Sequence, residues 1–185
     1  NEFTGADGRK HSIPGTILIT ALGIVPDIRV GVHSTIYEGG LSLYLVGSTD
    51  GELGGSALVH YLNTEDAEAP QPKADALRTA QAIHRAMRRS LVRACHDCSE
   101  GGIAVALAEM VMDSEFGLEV DLDTIPQTKN LDLSRLLFSE SLSRYLVAVR
   151  PSDEVAFVEQ MGSLPNARIG TVVDSSQLSI LTESG

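Results

Sequence analysis

A polar turn at residues 96–102, between a predicted strand and a predicted helix, constrains the fold more than any other feature. Residues 90–95 before the turn are largely apolar, and the apolar residues after it recur at helical spacing. The turn reads His-Asp-Cys-Ser-Glu-Gly-Gly and holds two carboxylates, a hydroxyl, an imidazole and two glycines. The first N–H groups of a helix lack backbone partners, so phosphates and their metals often bind there. The pattern therefore predicts a strand–turn–helix unit with a candidate ligand site.

Strand and helix patterns alternate irregularly along the chain. Apolar or alternating segments predict strands at residues 16–25, 41–47, 90–95, 118–122 and 145–149, and a terminal hairpin from 169–173 and 178–181. Helical patterns predict helices at residues 54–62, 73–90, 102–112, 132–138 and 153–161, with Ser152 as the N-cap of the last. The predicted fold is one α/β (α+β) domain over residues 1–185, in which helices pack on a mixed β-sheet and residues 1–13 form a lead-in segment.

Composition limits the function classes. The formal net charge of −11 argues against a nucleic-acid-binding surface, which needs clustered Lys and Arg. No apolar run approaches the roughly 18 residues that indicate a membrane span, and no signal-peptide pattern is visible. Two cysteines do not make a disulfide framework, so a reducing, cytoplasmic compartment is the expected location.

The turn at residues 96–102 supports two interpretations. Asp97 and Glu100 could offer carboxylate oxygens to Mg²⁺, while Gly101 and Gly102 let a ligand approach the backbone closely. Alternatively, Ser99 or Asp97 only caps the helix and the glycines only pack it against the sheet. The local residues favour the second interpretation, because polar caps are common at helix starts.

Cys95 and Cys98 form a C-x-x-C pair inside this region. Structural zinc needs four ligands, and neither a further cysteine nor a paired histidine spacing provides them. A thioredoxin-like redox role is possible in principle, but the intervening His-Asp and the strand-end position favour coincidence.

Two more polar segments precede or follow predicted elements. Residues 138–144, Phe-Ser-Glu-Ser-Leu-Ser-Arg, could contact a phosphorylated or hydroxylated substrate, or form a polar loop in which Glu140 and Arg144 pair at the surface. Residues 51–56 place glycines before a helix but match no standard nucleotide fingerprint, so a turn explains them equally well.

In their order, these segments carry a family resemblance. The chain resembles the C-terminal domain of the phosphoribosylformylglycinamidine synthase family (synthetase subunit), within the aminoimidazole ribonucleotide synthase superfamily. The run from His96 to Met110 is its most specific part. The supporting pieces are Asn1-Glu2, Ile13-Pro14-Gly15-Thr16, Glu52-Leu53-Gly54-Gly55-Ser56, Phe138-Ser139-Glu140-Ser141 and Ile169-Gly170.

The resemblance implies an ATP- and Mg²⁺-dependent ligase of purine biosynthesis. In that reaction formylglycinamide ribonucleotide is activated by phosphoryl transfer, and glutamine-derived ammonia then displaces phosphate. The family's catalytic histidine and ATP-binding lysine would lie outside these 185 residues, so the isolated chain is expected to be inactive. The implied partners are upstream synthetase domains, a glutaminase domain or subunit, and a phosphorylated small-molecule substrate.

The resemblance also implies site residues. Asp97 matches the family's metal-binding aspartate, and Glu140 and Ser141 match the start of a substrate-contacting loop. The implied substrate or nucleotide contacts are Ser99, Gly101, Gly102, Glu140 and Ser141. Leu142 departs from the polar residue expected there, and Asp97 could instead serve an auxiliary nucleotide site.

Two other functions remain open. A related enzyme of the same superfamily could make selenophosphate or thiamine phosphate, although the Asn-Glu start and the Glu-Leu-Gly-Gly-Ser piece argue against it. A non-catalytic domain could instead dock other domains or subunits.

Overall fold

The structure is a computed structural model that describes residues 2–12, 18–66 and 68–182. Its strands are β1 (Glu2–Thr4), β2 (Lys10–Ser12), β3 (Ser42–Val46), β4 (Ala94–Asp97), β5 (Gly117–Asp121), β6 (Tyr145–Val149), β7 (Asn166–Val173) and β8 (Leu178–Leu181). Its α-helices are α1 (Ala57–Leu62), α2 (Ala76–Arg88), α3 (Gly102–Val111), α4 (Leu133–Phe138) and α5 (Glu154–Met161). Short 3₁₀ turns lie at Ile28–Val30, Leu122–Thr124 and Pro151–Asp153.

Six strands form one mixed sheet in the order β4-β6-β3-β7-β5-β8. All neighbouring pairs are antiparallel except β5 and β8, which are parallel. The predicted mixed sheet with packed helices is therefore confirmed. The predicted terminal hairpin is wrong, because β5 lies between β7 and β8 and pairs with both.

Alternation along the central strand separates two hydrophobic cores. Leu43 and Leu45 of β3 point into a core shared with α3 and α4, whereas Tyr44 and Val46 point into a core shared with α2 and α5. This is the period of two expected for a strand covered on both faces. Helices therefore cover both faces of the sheet, and their loops meet at its ends.

The N-terminal segment differs from its prediction. Residues 13–17 lie outside the described residues, and residues 18–25 form no strand, although an apolar strand was predicted at 16–25. Within the predicted lead-in, β1 and β2 form a two-stranded antiparallel sheet of their own. The first buried residue among those described is Ile36. In the described part of the chain, no helix is long and apolar enough to cross a membrane.

Side-chain caps account for several helix starts. Ser56 accepts a hydrogen bond from the Val59 N–H at the start of α1, and Asp132 accepts one from Arg135 N–H at the start of α4. Ser152 is not the predicted cap, because it lies within a 3₁₀ turn and α5 begins after Asp153.

Candidate functional site

Antiparallel pairing brings the three polar segments to one end of the sheet. Strand β6 lies between β4 and β3, and its first residue, Tyr145, is opposite Asp97 of β4 and Val46 of β3. The turn after β4 and the loop after β3 therefore both lie beside residues 139–144, which lead into β6. Strand pairing alone explains why segments far apart in sequence form one site.

The Glu140 carboxylate joins two of these segments. Its Oε1 atom accepts hydrogen bonds of 2.8 Å from the N–H groups of Gly101 and Ala57. These groups lie at the starts of α3 and α1, where backbone donors lack helical partners and the helix dipole favours negative charge. Glu140 therefore fixes the position of the turn before α3 relative to the start of α1.

Ser141 lies fully inside the molecule. Its hydroxyl donates to the buried carboxylate of Glu52 and accepts a hydrogen bond of 3.0 Å from the Asp50 N–H. Asp50 in turn pairs with Lys73, whose pKa is lowered by burial and by the nearby Arg144. The serine therefore ties the loop after β3 to the loop before β6.

Arg144 is the largest fully buried side chain at the site, with 1% of its surface exposed. Its guanidinium donates to the carbonyl oxygens of Ser141 (2.9 Å) and Ser139 (2.6 Å) and to the Thr49 hydroxyl (3.0 Å). Burial lowers the pKa of Arg144, and Cys98, Glu52 and Glu140 oppose that shift. The loop thus folds around a buried cation, and the surface pair of Glu140 with Arg144 is not formed.

A cleft of about 480 Å³ opens beside this network. Its lining residues are Pro70, Asp97, Cys98, Ser99, Glu100, Glu140, Leu142, Ser143, Arg144 and Tyr145. The backbone φ angle of Ser143 is 60°, a left-handed conformation that is costly for a residue other than glycine. The cleft therefore lies between the turn after β4 and the loop before β6.

Asp97 and Ser99 present polar groups to this cleft. The Asp97 side chain is 64% exposed, and its Oδ2 atom accepts a hydrogen bond of 2.5 Å from the Ser99 hydroxyl. His96 does not line the cleft: its Nδ1 atom lies 2.7 Å from the Asp97 carbonyl oxygen and 3.8 Å from the Asp97 carboxylate, and its Nε2 atom lies 3.3 Å from the Glu109 carboxylate. The predicted metal residue is thus accessible and oriented by a neighbour.

The chain's own residues offer only a partial metal site. Within the residues that the structure describes, no group of three His, Cys, Asp or Glu side chains could hold a metal ion. Mg²⁺, however, commonly takes one or two carboxylates and completes its shell with water and substrate phosphate. Asp97 fits such a shared site as a single ligand.

Gly102 and Gly101 have different structural roles at the start of α3. Both have positive φ angles, 65° and 78°. A Cβ atom at Gly102 would lie 2.4 Å from the Ser139 carbonyl oxygen, so helix α3 packs directly against the loop before β6. Gly101 gives its N–H to Glu140.

The two cysteines are free thiols. Burial, with a smaller contribution from Asp97, raises the pKa of Cys95 to about 12. Burial also raises the pKa of Cys98 to about 11, against the opposing effect of Arg144. A thiol needs a lowered pKa to act as a nucleophile or redox centre near neutral pH. The environment therefore opposes the redox interpretation of the C-x-x-C pair.

Comparison with known proteins identifies the fold and the family together. Residues 38–182 match the family described as AIR synthase related protein, C-terminal domain. The chain belongs to this family. The matched range contains the whole six-stranded sheet, every residue of the candidate site and all buried residues of both cores except Ile36.

Relatives are much longer than this chain. The phosphoribosylformylglycinamidine synthase subunit PurL of Synechocystis sp. is 38% identical over 179 residues, which cover 93% of this chain and 22% of that protein. A solved structure of Thermotoga maritima PurL complexed with FGAR has a TM-score of 0.73 at 21% identity, over 84% of this chain and 27% of that one. The same protein complexed with ATP gives a TM-score of 0.68 at 19% identity, over 85% and 26%. The chain spans about a fifth of the length of the PurL relative.

The sequence predicts the polar segments of the site but not the hydrogen bonds that join them. The buried state of Arg144 and Glu52, and the bridging role of Glu140, were not predicted. One signal was present, because residue 144 directly precedes an apolar strand that is buried on both faces. The predicted contacts of Ser99, Gly101, Gly102, Glu140 and Ser141 with a substrate or nucleotide stay predictions.

Proposed function

We propose that this chain is the C-terminal part of a phosphoribosylformylglycinamidine synthase, an ATP-dependent ligase of purine biosynthesis. The enzyme would convert formylglycinamide ribonucleotide and glutamine-derived ammonia to formylglycinamidine ribonucleotide. The identity of 38% with the Synechocystis PurL subunit across 93% of this chain carries the proposal. The chain spans only 22% of that relative, so the proposed reaction would use regions outside these residues.

In this proposal the cleft forms one wall of a nucleotide or substrate site shared with an upstream domain. Asp97 supplies one carboxylate oxygen to Mg²⁺, and the ion, when bound, neutralises phosphate charge. Ser99 orients that carboxylate through its 2.5 Å hydrogen bond. Whether the site is catalytic or auxiliary depends on which phosphate it holds.

The other site residues would act mainly by holding this wall in place. The Glu140 carboxylate and the Gly101 N–H fix the turn, and Ser141 fixes the adjoining loop. Gly102 allows α3 to approach that loop. A direct contact of Glu140 with ligand remains part of the proposal, because its side chain also lines the cleft.

The proposed assembly contains upstream synthetase domains and a glutaminase domain or subunit, and it works in the cytoplasm. Product formation tests the proposal. The whole synthetase polypeptide that contains this chain should convert formylglycinamide ribonucleotide to the amidine with ATP and ammonium. The isolated 185 residues should give no product. Product from the isolated chain would contradict the shared site, and none from the whole polypeptide would contradict the ligase assignment.

A titration with Mg²⁺–ADP tests the role of Asp97 in that whole polypeptide. Asp97→Ala should weaken binding by about 10-fold or more, because even the loss of a residue that only orients a metal ligand commonly costs about 10- to 100-fold. Asp113→Ala removes another exposed carboxylate beyond the end of α3 and serves as the matched control. Equal affinities of the two variants would count against Asp97 as a metal ligand.

A docking domain without a ligand site is the second candidate. The hydrogen bonds of Glu140 and Ser141 favour the docking domain, because both side chains already have partners within the chain. It predicts that Asp97→Ala leaves both nucleotide binding and product formation unchanged.

A further inference from the structure

An apolar segment near the N-terminus has no protein covering it. The segment comprises residues 18–25, Leu-Ile-Thr-Ala-Leu-Gly-Ile-Val, and its large side chains are exposed. Leu22 is 96% exposed and Ile24 is 89% exposed. Single exposed apolar residues are normal on a protein surface, but five large ones within eight residues form a continuous apolar patch that needs an explanation.

The segment has the pattern of a strand buried on both faces. In an extended chain, Leu18, Leu22 and Ile24 would share one face, and Ile19 and Val25 would share the other. Runs of this kind are typical of strands covered on both faces. Yet no strand pairing or backbone hydrogen bond joins residues 18–25 to another described residue.

The segment does not pack against either hydrophobic core in the described part of this chain. Neither hydrophobic core contains a residue before Val32 among those described, and the family match begins at residue 38. The preceding hairpin of β1 and β2 is exposed throughout, and an isolated two-stranded hairpin is at best marginally stable in water. The first part of the chain therefore lacks the partners that its sequence requires.

The comparisons indicate where those partners lie. Alignment to the Synechocystis subunit covers 93% of this chain, which leaves too few residues unaligned to omit the region before residue 38. The same alignment covers 22% of that protein. The apolar segment thus belongs to the shared architecture of the long relatives while lying outside the C-terminal domain.

We propose that residues 18–25 form a strand in the β-sheet of the domain that precedes this one in the longer polypeptide. The segment would pair through its free backbone groups with an edge strand of that sheet and bury apolar side chains on both faces. The proposal rests on the proposed function only in requiring an upstream synthetase domain. It makes residues 26–31 the covalent connection between a strand of one domain and the core of the next, which Val32 and Ile36 contact.

Hydrogen exchange tests this directly. Amides of residues 18–25 should exchange roughly 100-fold or more slowly in the whole polypeptide than in the 185-residue chain. Amides of β3, in the centre of the sheet, are the internal reference and should be protected in both proteins. Equal, fast exchange of residues 18–25 in both would overturn the proposal.

A double substitution tests whether the apolar side chains of residues 18–25 are buried only in the whole polypeptide. Leu22→Lys with Ile24→Lys should leave the thermal midpoint of the 185-residue chain unchanged, because both side chains are exposed there. In the whole polypeptide it should abolish the protection of residues 18–25. Val155→Lys, at a 73% exposed position of α5, is the matched control and should change neither protein.

Two further outcomes are distinguishable. Protection that appears in the 185-residue chain as its concentration rises, and that the double substitution removes, would assign the segment to a second copy of the chain and overturn the proposal. Exchange does not depend on turnover, so a protected segment in a polypeptide without ligase activity would refute the function and leave this interface supported.

Discussion

Arg144 shows how one buried charge can organise a loop. It lies at the entrance to β6, and it donates two hydrogen bonds to carbonyl oxygens of its own loop and one to the Thr49 hydroxyl in the loop after β3. Side-chain pairing at the surface contributes little to stability, whereas removing a buried partner leaves polar groups unsatisfied. The residue therefore matters to the site although it need not touch a ligand.

Replacement of Arg144 should be strongly destabilising. Arg144→Met leaves the carbonyl groups of Ser139 and Ser141 without the donor, and we expect the free energy of unfolding to fall by about 3 kcal/mol. Urea denaturation monitored by circular dichroism measures the change. Arg88→Met, on the exposed side of α2, is the control and should stay within about 0.5 kcal/mol. Similar losses in both variants would show that Arg144 has no special role.

The buried thiols should make stability fall in alkaline solution. Burial is the main cause that raises the pKa of Cys95 from 9.0 to about 12 and that of Cys98 from 9.0 to about 11, and at Cys98 the nearby Arg144 partly opposes it. The unfolded chain therefore loses these protons at lower pH, so their stabilising contribution is complete below pH 9 and is lost as pH rises towards 11–12. Each thiol should lower the unfolding free energy by up to about 1.4 kcal/mol per pH unit in that window.

Urea unfolding at pH 8, 9 and 10 under reducing conditions provides the measurement. The variant with Cys95→Ser and Cys98→Ala serves as the control, because it keeps every other titrating group. Its unfolding free energy should fall less steeply with pH than that of the parent chain. Parallel pH curves would mean that the thiols do not titrate differently in the folded and unfolded states.

The residue types of the site could be predicted from the sequence, but their connections could not. Asp97, Ser99 and Glu140 were identified from polar residues placed at predicted element ends. The bridge from Glu140 to Ala57 joins residues 83 positions apart, and no local pattern encodes such a contact. It depends on which strands are neighbours in the sheet.

At the scale of elements, the start of α3 depends on the absence of a side chain at Gly102. A Cβ atom there would lie 2.4 Å from the Ser139 carbonyl and 2.7 Å from the Leu137 carbonyl. Gly102→Ala should therefore lower the unfolding free energy by about 3 kcal/mol, through both backbone strain and overpacking.

Gly55→Ala is the matched control for that substitution. Gly55 also has a positive φ angle, 76°, but a Cβ atom would have open space around it. It should cost about 1 kcal/mol, which is the conformational cost alone. Chemical denaturation of both variants isolates the steric part. If the two losses were equal, close packing of α3 against the loop before β6 would not explain the glycine.

Most predicted elements were right in place, but the strand predicted at 90–95 begins only at Ala94, the described part of 16–25 forms no strand, and the terminal strands were paired wrongly. The predicted strands at 41–47 and 145–149 and the helix at 102–112 are confirmed, because each carries its own periodicity. The terminal hairpin failed because β7 pairs with β5 instead, and β8 pairs with the far side of β5. A turn sequence between two strands cannot reveal that a distant strand fits between them.

At the scale of the whole molecule, the chain consists of a domain with two cores and an N-terminal segment whose described residues add to neither. The segment at 16–25 was predicted as a strand from its composition, and in its described part that prediction is wrong for this chain taken alone. The physical reason is that a strand needs a neighbour to satisfy its backbone. Sequence pattern records the need for a partner but not where the partner lies.

Removal of residues 1–25 should therefore leave the domain almost as stable as before. The described residues in that range bury no side chain, and the first buried residue among those described is Ile36, so we expect the unfolding free energy to change by less than about 0.5 kcal/mol. Urea denaturation of the truncated and parent chains makes the comparison. Leu107→Ala in the truncated chain is the positive control, since this fully buried side chain should cost about 3 kcal/mol. A loss of several kcal/mol on truncation would show that the segment packs on this domain, and the 185 residues would then form one cooperative unit.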